Sequence, residues 1–161
     1  MIEALHFIRK AIIGRLTDSI VSNGISVDVY NRVPSNATEP FIKVYSLQNN
    51  ELDFNRDSFM LECITRIEVV TAFDSDSGGE LQCNQIVSDV LKLVRTRSNG
   101  YFDLSSNGFN VYTSVLENTS YFEEDADDKT YFRAVIDLSN KVQQIDPTGG
   151  LQSELQNELQ S

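Results

Sequence analysis

Apolar residues open the chain at steps of three and four: Ala4, Leu5, Ile8, Ala11, Ile12, Leu16 and Ile20. That spacing predicts an amphipathic helix over residues 4–21, with Phe7 and Ile13 off the main stripe and free to bury a second surface. Asn23-Gly24, a pair tolerant of positive φ, is the expected C-terminal stop. The period then drops to two. Ile25, Val27 and Val29 alternate with Ser26, Asp28 and Tyr30, predicting a strand over 25–33. A polar connection, 34–40, leads to a second strand over 41–48, and the Asn- and Asp-rich segment 49–58 reads as a loop.

The longest alternation is 59–73. Phe59, Leu61, Cys63, Thr65, Ile67, Val69, Thr71 and Phe73 share one face, and Glu62, Arg66 and Glu68 take the other. Such a pattern predicts a long strand with one buried face. DSDSGG (74–79) breaks it. Ser77 with Glu80 three residues later forms a capping-box pattern ahead of a helix carrying Cys83, Ile86, Val87, Val90, Leu91 and Val94 at helical spacing. Arg95 and Arg97 suit the negative end of the helix dipole, and Asn99-Gly100 closes the segment. Strands over 108–116 and 130–142 follow. The order α-β-β-β-α-β-β predicts an α+β domain, two helices packed on a largely antiparallel sheet of about five strands, spanning 1–142. Beyond it, QQIDPTGGLQSELQNELQS (143–161) repeats Leu every four residues and reads as a flexible or partner-ordered tail, too short for a stable helix alone.

Composition changes this picture in one respect. Of 161 residues, 24 are Asp or Glu and 13 Lys or Arg, a formal charge of −11. Binding to nucleic acid rests on cations that neutralise phosphates, so this chain is poorly suited to grip DNA. An acidic surface keeps a protein soluble, and it also repels DNA that must slide past. No run of apolar residues is long enough to span a membrane. The N-terminal segment has charges through its apolar positions and no small-residue cleavage site, and reads as structure, not a signal peptide. Cys63 and Cys83 belong to no CxxC pair and read as buried, reduced thiols of a cytosolic compartment.

Catalytic patterns are weak. His6, the single histidine, has no neighbouring Cys or His to share a metal and no nucleophile-elbow motif to serve, and reads as a helix-surface or interface side chain. DSDSGGE resembles the start of a calcium loop, but position twelve is Gln85 where an acid is required. Gly78-Gly79 lacks the Lys of a phosphate-binding loop. No enzyme activity, cofactor or metal is expected. EEDADD (123–128) reads as a solvated hairpin loop. Its carboxylates Glu123, Glu124, Asp125, Asp127 and Asp128, with Asp53 and Asp57, are the candidates for an interface or a lumen.

One stretch carries a resemblance. VYNRVPSNATEPFIKV, with Tyr30, Arg32, Val33, Pro34, Pro40, Phe41 and Ile42, resembles a pattern in the tail completion, or tail terminator, proteins of long-tailed bacteriophages. FMLECITRIEVVTAF, the helix QIVSDVLKLV and the closing strand TYFRAVIDLSNKV continue the similarity over about 1–142. The resemblance implies a virion structural subunit at the head–tail junction, assembled in the host cytoplasm. It implies a ring, commonly a homohexamer, on the last tube ring, ending tube growth and meeting the head connector. The partners implied are the chain itself, the tail tube protein and a connector or neck protein, with DNA passing through unread. The two prolines are then expected to hold the link between an outer and a central strand in fixed register, with Pro34 stopping the first strand. A neck or head-closure protein of the same junction, and an acidic DNA-mimic binding module, are the alternatives.

Overall fold

The computed structural model describes residues 1–53, 57–126 and 128–145. The first helix, α1 (Leu5–Leu16), buries Leu5, Ile8, Ile12 and Leu16. It stops at Thr17, earlier than the periodicity predicts. Thr17 turns extended, its N–H and its hydroxyl both donate to the Ile13 carbonyl, and Asp18 takes φ 60°. Ile20 is still buried, but from the segment just past the turn at 17–19.

Asn23-Gly24 has a different role from the expected helix stop. Both residues have positive φ (51° and 77°) and join two short strands, β1 (Val21–Ser22) and β2 (Ile25–Ser26), as a two-residue hairpin. Positive φ at both central positions matches the right-handed twist of the paired strands, which is why Asn-Gly is favoured there. The predicted strand over 25–33 is therefore divided. Ile25 belongs to the hairpin, and only β3 (Asp28–Tyr30) joins the main sheet.

That sheet has five strands in the order β3-β4-β5-β7-β6, with β4 (Phe41–Leu52), β5 (Phe59–Asp74), β6 (Phe109–Asp125) and β7 (Lys129–Gln144). β3 runs parallel to β4, and every other neighbouring pair is antiparallel. The expected α+β architecture is thus present. α1 lies over β4 and β5, and α2 (Leu81–Val94) over β5 and β7, both on one face. The face read from the alternation of β5 is the covered one: Leu61, Cys63, Thr65, Ile67, Val69 and Thr71 are buried, opposite Ala134, Ile136 and Leu138 of β7. Each fully buried Ile or Leu contributes about 1.5–3 kcal/mol relative to exposure.

Further boundaries depart from expectation. β4 continues to Leu52, past a register shift at Leu47, so the first four residues of the predicted loop, 49–52, are strand. The Ser77–Glu80 capping box does not form. The N-cap of α2 is Glu80 without a side-chain cap, because Ser77 is used in the turn after β5, its hydroxyl donating to the Asp74 carbonyl at 2.7 Å. β6 runs nine residues beyond the predicted end at Leu116, taking in Glu123, Glu124 and Asp125, and β7 ends at Gln144. The tail from 146 to 161 lies outside the described residues.

Candidate functional site

The acidic candidates fall at the two ends of β5. Its start pairs with the end of β7 (Phe59 with Gln144) and its end with the start of β7 (Asp74 with Lys129). Asp53 and Asp57 are exposed beside the first end, one just after β4 and one just before β5. Glu123, Glu124, Asp125 and Asp128 are exposed at the other. At about 3.3 Å per residue the two groups stand about 50 Å apart, so the fold does not gather them into one patch. Asp127 lies outside the described residues.

The EEDADD segment is a hairpin, as expected, but its first three acids are strand residues, paired with Phe132, Tyr131 and Thr130. The strand pair is closed by the Ala126 N–H donating to the Lys129 carbonyl at 2.8 Å. Asp125 accepts from the buried Thr130 hydroxyl at 3.0 Å, and that oxygen accepts from the Asp76 N–H at 3.2 Å. With Glu123, these groups line an acidic hollow of about 280 Å³. Arg133 bonds Glu124 at 3.1 Å.

The proline link arrives at this same end. Lys129 Nζ lies 3.6 Å from Glu39 Oε2, tying the link to the root of the hairpin. Tyr30, half-buried in β3, donates to Asp28 and meets the ring of Phe41 edge-on at 6.1 Å. Arg32 and Pro34 are exposed, Val33 and Pro40 half-buried, and the Glu39–Pro40 peptide is cis. The link does join an outer strand to an inner one. Pro34 does not stop the outer strand, however, since β3 has ended at Tyr30. Asn31 does so: its side chain donates to the Val44 carbonyl at 2.8 Å, where a further β3 residue would pair.

Sequence reasoning missed the polar network on the uncovered face. Arg66 of β5 is opposite Asp137 of β7 and grips it with two bonds, at 2.8 and 3.0 Å. The Asp137 hydrogen bonds raise the Arg66 guanidinium still further above its ordinary value, against the opposing effect of burial. Tyr45 donates to Glu68 at 2.8 Å; burial first, then this bond, pushes the Tyr45 phenol up. Laying the polar positions of 59–73 antiparallel to those of 130–142 would have revealed the Arg66–Asp137 pair. His6 is exposed on α1 and bonds the Glu3 carboxylate. Cys63 and Cys83 are free and buried.

This arrangement offers no converging nucleophile, base and acid among the described residues. What it presents is surface: a mixed-charge network on the sheet, and exposed acidic residues at either end. Among the described residues no helix is long and apolar enough to cross a membrane. No protein-family model matches the chain, and no curated protein matches it.

Proposed function

We propose that the chain is a virion structural subunit of a long-tailed bacteriophage, a tail terminator. It forms a ring on the last tier of the tail tube, ends its growth and joins the tail to the head connector. The observation that carries this reading is the stretch from Tyr30 to Phe41. It resembles the terminator pattern, and it connects an edge strand to its inner neighbour in an α+β sheet of the expected element order. The acidic groups at both ends of the sheet support it further, since carboxylates on a DNA passage keep the duplex from adhering. A neck or head-closure role at the same junction is the near variant. The DNA-mimic reading is less favoured, because the uncovered sheet face interleaves Lys43, Arg66, Arg133 and Lys141 with its acids.

Electron microscopy of particles made by a phage genome lacking this gene tests the proposal. Overlong tubes beside DNA-filled, tailless heads are the expected result. Tails of normal length that fail to join heads would move the protein to the neck. Intact, infectious virions would overturn the structural reading.

A further inference from the structure

The two edges of the sheet are managed differently. On one side β3 has three residues, Asn31 occupies the next carbonyl, and β4 bulges at Leu47. On the other, β6 runs for 17 residues with no Lys, Arg or Pro, and its edge devices are two bulges and the carboxylates Glu117, Glu123, Glu124 and Asp125, which leave 118–122 open. It also holds Val115, Leu116, Tyr121 and Phe122 at 36–53% exposure. Two short 3₁₀ turns, 98–100 and 105–107, contact β6, and it bulges at Tyr112 and Glu117. Edge groups of a strand not bonded to β7 point outward and can accept another strand.

The pattern of β6 complements itself. Val115 and Phe122 lie opposite Ser139 and Arg133, on the uncovered face; Leu116, Thr119 and Tyr121 lie opposite Leu138, Ile136 and Ala134, on the helix side. With Glu117 set aside as the bulge, an antiparallel second copy centred on Thr119 places Leu116 against Tyr121 and Val115 against Phe122, each pair on one face. Glu123 and Glu124 then face Ser114 and Thr113, so no carboxylate of one strand stands opposite one of the other. An unbulged strand would put Val115 and Phe122, seven residues apart, on opposite faces. Thr119 stands opposite its own copy at the two-fold axis, and rotation about χ1 would turn its hydroxyl, shielded in the single chain and without a hydrogen-bond partner among the described residues, toward its counterpart. Paired Thr hydroxyls are favourable in this position.

We infer that β6 is a homodimerisation edge: two copies pair antiparallel about Thr119 to make one continuous sheet of ten strands. Such a contact is closed at two copies, unlike the head-to-tail contact that a ring requires. It is therefore a property of the free subunit and stands or falls apart from the ring reading.

Sedimentation equilibrium of the full chain, from micromolar to near-millimolar concentration, should show a monomer–dimer equilibrium. Val115→Lys and Phe122→Glu, both at exposed positions, should each weaken it about tenfold or more, equivalent to about 1.4 kcal/mol. The double variant should recover, because only this register sets the introduced lysine of one copy against the introduced glutamate of the other. Thr119→Cys should form a disulfide-linked dimer on mild oxidation, and Asn50→Cys on the far edge should not. A monomer at every concentration, a double variant weaker than both singles, or a hexamer without Thr119→Cys cross-linking would overturn the inference. The last of these would leave the ring reading intact.

Discussion

Arg66 and Asp137 show how much a single pair can decide on an otherwise solvated surface. Their side chains are only 32% and 15% exposed, and the two bonds are parallel. Charge-assisted bonds of this geometry exceed ordinary surface pairs in strength. Asp137→Asn should lower unfolding stability by about 1–3 kcal/mol, read as a shift in urea midpoint. Arg66→Lys should lose most of the same amount, because an ammonium cannot supply the planar fork.

The two thiols give a pH signature. Burial pushes Cys63 up to about 12 and Cys83 up to about 11, with the charges of Glu3 and Glu62 adding to the first and Glu80 to the second. In the unfolded chain both titrate near the ordinary value of 9.0. Their contribution is thus complete below pH 9. It declines as the pH rises toward 11 and 12, because there the unfolded chain releases protons that the fold retains. Each thiol should add a slope of about 1.4 kcal/mol per pH unit in that window. Denaturant melts of the parent and of a Cys63→Ala, Cys83→Ala variant should diverge in slope only above pH 9.

At the scale of elements, glycine positions separate two kinds of turn. Gly24 has φ +77° with open space around it, so Gly24→Ala meets only backbone strain and should cost about 1 kcal/mol. Gly78 has φ +88°, and a Cβ there would stand 2.3 Å from the Phe73 ring. Gly78→Ala should therefore cost clearly more, with the difference visible in thermal melts of the two variants.

The elements also show what the pattern of residues could reveal. β5, the buried face of α2 and the fold class were legible because each is imposed by one buried face, which leaves an unambiguous period. The end of β6 was not legible. Residues 121–125 are exposed on both sides, so no alternation marks them as strand, and their pairing with β7 alone sets their conformation. Asn23-Gly24 was ambiguous locally, since the same dihedrals end a helix or turn a hairpin. The seating of β1 on α2, where Gln82 donates to Ser22 at 3.0 Å, decides for the hairpin. The acidic candidates were identified by residue type, and their separation to opposite ends could be known only from register.

For the whole molecule that separation makes the two acidic ends independent. Asp53→Asn with Asp57→Asn, and Glu123→Gln with Glu124→Gln, share no contact across the sheet. Their effects on stability should add to within about 0.5 kcal/mol in the combined variant, by chemical denaturation. Under the ring reading, only the end that faces the DNA path should affect genome passage when neutralised. Infectivity of phage carrying each pair alone would identify it.

The bond from the Ile2 N–H to the Gln144 side chain, at 2.8 Å, closes the described fold on itself. Position 2 and the end of β7 are neighbours, so the backbone is nearly a loop with a removable seam. A circular permutant of residues 1–145 that bridges this seam with a few glycines, and takes new ends between Asn23 and Gly24, should retain the circular dichroism of the unpermuted 1–145 chain and unfold cooperatively. Any module fused at the seam would sit at the Asp53–Asp57 end, leaving the acidic hairpin of β6 and β7 unobstructed.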